Sequence, residues 1–223
     1  MTKASGPNAS EAAGMKSLSP AFLRALLDAE HYHHEQLRKG TQVPYVSHLL
    51  GVCSIVLEAG GNETEAIAAL LHDAPEDAGG EPVLAAIRAN FGVDVGTIVA
   101  ECSDALPDKG EEKPDWLMRK TTYIEHLKSA GASTMLVSAA DKLHNLRATY
   151  SDYLQIGDEI WGRFSAPQPK KSHVLWYYCE LRDIYASPDS PCDPRRTPLV
   201  LLLTELLNQL GYKSGDFKPV YKR

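Results

Sequence analysis

Ala68-Ala69-Leu70-Leu71-His72-Asp73-Ala74-Pro75-Glu76-Asp77 runs an apolar helical stretch directly into a histidine and three acids. The residues before His72 have core character. An imidazole or carboxylate beside them is costly unless it is paired or coordinated. Pro75 lacks a backbone N–H and disfavours helical geometry at Ala74, so the helix is expected to kink or end there. On an unbroken helix Glu76 would lie one turn after His72, and Asp77 one turn after Asp73.

Upstream, Asn62 follows Gly60-Gly61 and reads as the cap of this helix, while Ser47 to Ala59 forms the helix before it. Ser19-Pro20 supplies an N-cap and a first-turn proline for a helix predicted to run to about Leu37, followed by a loop from Arg38 to Pro44. Downstream, helices are predicted over Glu81 to Asn90, Val93 to Cys102, Pro114 to Ser129, Ala132 to Thr149, Tyr153 to Phe164 and Ser172 to Tyr185. Asp104 to Lys113 reads as a polar loop. A Pro-rich turn from Ser187 to Pro198 precedes a last helix with Leu199, Leu202, Leu203, Leu206, Leu207 and Leu210 on one face. That face packs on the core or forms the seam of a homodimer. No alternating strand-like run is long enough for a sheet, so the fold class is all-α.

The 223 residues are 43% hydrophobic, in the range of one globular domain with a full core. Residues 1–17 are small and polar and read as a disordered leader without the apolar stretch of a signal peptide. No apolar run approaches the roughly 20 residues that span a bilayer. Cys53, Cys102, Cys179 and Cys192 form no C-x-x-C pair, which fits a reducing cytoplasm better than a disulfide framework. A formal charge of −6 argues against nucleic acid as partner but leaves room for a basic pocket that takes a small anion.

The chemistry-bearing residues are His48, His72, Asp73, Glu76, Asp77, Asp141 and Asn145. Taken singly, a His or Asp is more often a cap or a surface group. Two imidazoles with two carboxylates make a mixed N/O set suited to Mn²⁺ or Fe²⁺, whereas Mg²⁺ prefers oxygen ligands.

Four stretches, Arg38-Lys39-Gly40, Pro44-Tyr45-Val46-Ser47-His48, Ala68 to Asp77, and Asp141-Lys142-Leu143-His144-Asn145-Leu146-Arg147, occur in this order. The set resembles the metal signature of the HD-domain phosphohydrolases. It is similar in particular to the hydrolase domain of the RelA/SpoT alarmone enzymes and to the stand-alone small alarmone hydrolases. The resemblance implies an all-helical HD-type domain over residues 18–186, with residues 187–223 as a turn and amphipathic helix packed on it. It implies an enzyme that uses Mn²⁺ to remove the 3′-pyrophosphate of guanosine tetra- or pentaphosphate. It assigns the metal to His48, His72, Asp73 and Asp141, and the water-side chemistry to Glu76 and Asp77. Where this chain has Ala74-Pro75, a non-proline pair is more usual in the family.

Arg38 and Lys39 match the family's basic pair near the nucleotide base, or else are solvated charges ending a helix. Asn145, one turn after Asp141, is placed to reach a ribose hydroxyl or phosphate, and Lys142 to pair with phosphate or to stay exposed. Lys113, Arg119 and Lys120 are further candidates for the pyrophosphate, against a reading as a solvated helix face. The run His31-Tyr32-His33-His34 reads as surface histidines beside Glu35 rather than as a second metal site, and Trp161, Trp176, Tyr177 and Tyr178 as core aromatics. Two alternatives keep other functions open: an HD phosphohydrolase for another nucleotide, such as an adenosine alarmone, a nucleoside monophosphate or a phosphorylated dinucleotide, and a catalytically silent nucleotide-binding regulator. The complete set of ligands and acids counts against the second.

Overall fold

The computed structural model describes residues 17–104, 114–191, 193–213 and 215–219. Among these the chain is helical: α1 (Pro20–Tyr32), α2 (Val46–Glu58), α3 (Glu63–Leu71), α4 (Ala74–Ala78), α5 (Gly80–Phe91), α6 (Val93–Cys102), α7 (Trp116–Leu127), α8 (Ala132–Ile156), α9 (Lys170–Ala186) and α10 (Thr197–Gln209). The β structure of the described residues is one isolated bridge, between Leu37 and Pro44. The expected leader and most of the expected 104–113 loop lie outside the described residues. No described helix is long and apolar enough to cross a membrane.

Helix α8 is the axis of the molecule. Its residues Met135, Leu136, Val137, Ala139, Ala140, Leu143 and Leu146 are buried, and it packs against α2, α3, α6, α9 and α10. Helix α3 is almost wholly core from Ala66 to Leu71. A capping box starts it, with Asn62 Oδ1 accepting from Glu65 N–H at 3.0 Å and Glu65 Oε2 accepting from Asn62 N–H at 2.8 Å. Glu65 is itself buried, and the guanidinium of Arg195 reaches both its oxygens at 2.7 and 2.9 Å. That fork fastens the segment before α10 to the start of α3.

Three boundaries differ from those the sequence predicts. Helix α1 stops at Tyr32 rather than near Leu37, because the chain turns back on itself: Arg38 N–H donates to Val43 O at 2.8 Å and Tyr45 N–H to Gln36 O at 2.8 Å. Gly40, at φ +73°, makes the reversal at a backbone angle that a side chain would strain. The helix predicted from Ala132 does not pause at Thr149 but runs to Ile156, and a 3₁₀ segment, Gly157–Arg163, takes the place of the separate helix expected over Tyr153 to Phe164. On α10 the buried stripe is narrower than the leucine pattern: Leu199, Leu203, Leu207 and Leu210 are buried against the body, whereas Leu202 is 42% exposed.

Candidate metal centre

Pro75 organises the centre of the site. Helix α3 ends at Leu71, and Pro75 stands in the first turn of the new helix α4, where its missing N–H has no partner to lose. His72 and Asp73 therefore occupy the junction between two helices, His72 capping the first and Asp73 preceding the second. The helical spacing of the acids survives the break, because Asp77 N–H donates to Asp73 O at 3.1 Å.

His48 enters from the first turn of α2, and Asp141 from the middle of α8. His48 Nε2 lies 3.4 Å from Asp73 Oδ2 and 3.2 Å from Asp141 Oδ1, and His72 Nε2 lies 3.1 and 3.6 Å from the same two oxygens. Ligand atoms of His48, His72 and Asp73 all fall within 4.8 Å of one another. Both imidazole Nε2 atoms are buried, and among the described residues neither has a partner in hydrogen-bonding geometry. Two buried nitrogen acceptors that converge with carboxylate oxygens without bonding to them form a donor set that fits a divalent cation.

The other ring nitrogens orient the imidazoles. His72 Nδ1–H donates to the Ala69 carbonyl at 2.9 Å, which leaves the lone pair on Nε2. His48 Nδ1 lies 2.9 Å from Nδ1 of His144. Burial, with the neighbouring His48 and Arg38, brings the His144 pKa down to about 4, so His144 is neutral at physiological pH. At His72 burial opposes protonation, yet with no cation present the carboxylates of Asp73 and Asp141 outweigh it and hold its pKa well above the ordinary histidine range, so a cation binds Nε2 by displacing a proton from it. Burial likewise disfavours the anions of Asp73 and Asp141, but the facing imidazoles, and Lys142 beside Asp141, keep both carboxyls well below their usual range. The pocket is thus built to hold two carboxylates ionised beneath two imidazoles.

The carboxylates are further oriented. Tyr45 O–H donates to Asp73 Oδ2 at 2.6 Å, Lys142 Nζ to Asp141 Oδ2 at 2.5 Å, and Asn145 Nδ2 to Asp141 Oδ1 at 2.5 Å. Lys142 is largely buried, over the Tyr123 ring, and does not line the cleft described below. Glu76 and Asp77 stand on α4, directly after the His72-Asp73 junction, and bond to different neighbours. Glu76 Oε1 accepts from Asp104 N–H at 2.7 Å, and Asp77 Oδ2 accepts from Gln36 at 2.9 Å.

A cleft of about 560 Å³ opens beside these residues, with Arg38, Lys39, Tyr45, Trp116, Asn145 and Tyr178 in its wall. Arg38 lies over the Tyr45 ring, 5.7 Å from its centroid. The four candidate metal ligands line neither this cleft nor a larger hollow of about 950 Å³ between α7 and Phe217; the smaller cleft adjoins the centre through Tyr45 and Asn145, which bond Asp73 and Asp141. Arg119 and Lys120, candidates for binding pyrophosphate, both pair with Asp104. Lys113 lies outside the described residues. The histidine run divides: His34 is exposed and paired with Glu30, while His33 is buried and stacks on Tyr45 at 4.9 Å. Tyr45, Trp116 and His144 are site residues to which the sequence gives no role: Tyr45 and His144 stand inside the resembling stretches, and His144 is set aside there because the ligand set is complete without it. His144 carries a further signal, standing three residues after Asp141 on the same helix.

The profile of the HD domain family matches residues 25–162. The guanosine-3′,5′-bis(diphosphate) 3′-pyrophosphohydrolase MESH1 of Xenopus tropicalis is 38% identical over 136 residues, covering 60% of this chain and 72% of that protein. The human MESH1 is 36% identical over the same shares. Among solved structures, a metazoan ortholog of SpoT, described as hydrolysing ppGpp with a role in starvation responses, superposes with a TM-score of 0.67 at 28% identity, over 88% of this chain and 99% of that one. The Listeria monocytogenes protein lmo0812 gives a TM-score of 0.59 at 27% identity, over 73% and 97%. The chain belongs to the HD domain family and, within it, groups with the MESH1 pyrophosphohydrolases.

Proposed function

We propose that this protein is a Mn²⁺-dependent alarmone hydrolase that releases pyrophosphate from the 3′ position of guanosine tetra- or pentaphosphate. The observation that carries this reading is the pair of buried, unbonded Nε2 atoms of His48 and His72 converging with Asp73 and Asp141 beside a cleft with Arg38 and Lys39 in its wall. The activity in the names of the MESH1 relatives supplies the substrate. Among divalent metals, the two-nitrogen, two-carboxylate set favours Mn²⁺ or Fe²⁺. The buried free thiols of Cys53 and Cys102 support a cytoplasmic setting.

His48, His72, Asp73 and Asp141 hold the ion in this reading. When bound, the ion supplies Lewis acidity toward water and toward a phosphoryl oxygen. Arg38 and Lys39 bind the nucleotide in the cleft, with Arg38 offering a planar face to the base or its fork to phosphate. Asn145, between Arg38 and Asp141, sets the distance from nucleotide to centre. Water attacks the phosphorus on the 3′-oxygen and the 3′-O–P bond breaks. One carboxylate of the Glu76-Asp77 pair takes a proton from the water and returns it to the leaving 3′-oxygen, directly or through the other.

The test is a panel of guanosine and adenosine alarmones, nucleoside monophosphates and phosphorylated dinucleotides, incubated with Mn²⁺-loaded protein while pyrophosphate and orthophosphate are followed separately. Pyrophosphate from guanosine tetraphosphate is expected. Orthophosphate from a monophosphate, or turnover of an adenosine alarmone alone, would reassign the substrate. Tight binding without turnover would make the protein a nucleotide-binding regulator.

A further inference from the structure

We infer that His144 and Gly51 act together as a positioning device for His48: His144 accepts the His48 Nδ1 proton and so aims the Nε2 lone pair at the metal, and Gly51 is the space reserved for the His144 ring. This rests on the metal-centre reading but not on the identity of the substrate.

Two independent observations meet here. The first is the 2.9 Å contact between the Nδ1 atoms of His48 and His144, which lie 96 residues apart on α2 and α8. Two imidazole nitrogens this close share one proton. If His48 is to present an unprotonated Nε2, its own Nδ1 carries that proton and His144 Nδ1 is the acceptor. Whereas the Ala69 carbonyl serves His72 Nδ1, the partner of His48 Nδ1 among the described residues is His144, so the tautomer of His48 is set by a side chain from another helix.

The second is a glycine in the middle of α2, where glycine is among the poorest helix formers. Gly51 stands three residues after His48 and thus on the same helical face. A Cβ at position 51 would lie 2.2 Å from His144 Cδ2 and 2.3 Å from its Nε2. Both colliding atoms belong to the His144 ring, so an alanine there would push the ring from its seat and leave the backbone in place. The helix forgoes a better helix former where the ring needs the room.

The experiment measures Mn²⁺ affinity by titration calorimetry, and the tautomer of His48 from long-range ¹H–¹⁵N correlations of the metal-free protein. Three variants are compared with the parent. His144→Phe keeps the ring volume and removes the acceptor. Gly51→Ala displaces the ring while favouring the helix. His144→Asn restores an acceptor near the Nδ1 position. The first two are expected to weaken Mn²⁺ binding about 10- to 100-fold, and Asn to recover most of that loss. The His48 Nδ1–H signature should be lost in the Phe variant and return in the Asn variant. Affinity within about twofold of the parent in folded Gly51→Ala or His144→Phe protein would overturn the inference. Equal weakening by Asn and Phe would also overturn it, since packing alone would then explain the effect. A parent protein that binds no Mn²⁺ would instead refute the metal-centre reading itself.

Discussion

Arg38 Nη2 donates to Asn145 Oδ1 at 2.9 Å, and Asn145 Nδ2 donates in turn to Asp141 Oδ1 at 2.5 Å. One amide thus joins the guanidinium in the cleft wall to a carboxylate of the metal centre. Both ends of the link are charged, and hydrogen bonds to charged groups contribute about 1.5–3 kcal/mol each.

Asn145→Ala removes both bonds at once. The expected result is a fall in kcat/KM of about 10- to 100-fold, each factor of ten corresponding to about 1.4 kcal/mol. Arg38→Lys keeps the charge but not the planar fork, and should raise KM with little change in kcat. Steady-state pyrophosphate release at saturating Mn²⁺ checks both. Parent-like kinetics for Asn145→Ala would show that the link is incidental.

Lys142 sits beside Asp141 in the core and not at the cleft. Removing one partner of a buried pair leaves the other charge uncompensated, at a cost of about 3–5 kcal/mol. Lys142→Met should therefore destabilise the metal-free protein by about 3 kcal/mol, and the Mn²⁺-loaded protein by less, because the cation then neutralises Asp141. Urea unfolding in chelator and in excess Mn²⁺ measures the two values. An equal loss in both would mean that Lys142 does not compensate the Asp141 charge.

The order of helices was legible in the sequence because it rests on local signals, caps and apolar period, whereas the metal candidates rest on the order of four stretches that resemble a known family, since no local signal joins His48 to Asp141. Pro75 was legible as a break, but its consequence was not. A proline disrupts a helix it interrupts and suits a helix it begins, and the choice depends on where α3 can stop. His144 is set aside in the sequence because the ligand set is complete without it; its partner lies on α2, and helix-to-helix contacts leave no periodic trace in the chain. Arg119 and Lys120 stand open in the sequence between phosphate ligands and a solvated helix face for the same reason: Asp104, which engages them, lies 15 and 16 residues upstream. The reversal at Gly40 that carries Arg38 and Tyr45 to the site is a two-sided loop, and a helix-period reading ran α1 through its first half.

Tyr45 O–H donates to Asp73 Oδ2 at 2.6 Å, while its ring stacks on the buried His33. Tyr45→Phe keeps the stack and removes only the donor to Asp73. Thermal unfolding should change little, while Mn²⁺ affinity should fall about tenfold, at the low end for residues that orient a metal ligand. Calorimetric titration of the folded variant decides the matter. Unchanged affinity would mean that Asp73 is oriented by its position between α3 and α4 alone.

Asp104 is the clearest pH-dependent element outside the metal centre. Burial raises its pKa, but Lys120 and Arg119 outweigh that and lower it to about 2. A carboxyl whose folded pKa is depressed stabilises the protein above its unfolded pKa, and the contribution disappears as pH falls through the folded value. The window therefore lies between about pH 4 and pH 2, with roughly 2 kcal/mol at stake from a shift of nearly two units at about 1.4 kcal/mol per unit. Asp104→Asn should lower the urea stability by at least about 2 kcal/mol at pH 7, since it also leaves the largely buried Lys120 without its counter-charge. The gap to the parent should narrow toward pH 2, where Asp104 in the parent is itself being protonated. A gap that stays constant from pH 7 to pH 2 would show that the charge of Asp104 is not what stabilises this corner. Asp104 N–H also donates to Glu76 Oε1 at 2.7 Å, so the same substitution should lower kcat if the Asp104 pairing holds the backbone that positions Glu76. A destabilised variant with parent-like kcat at a temperature where both are folded would separate the two roles and assign Asp104 to stability alone.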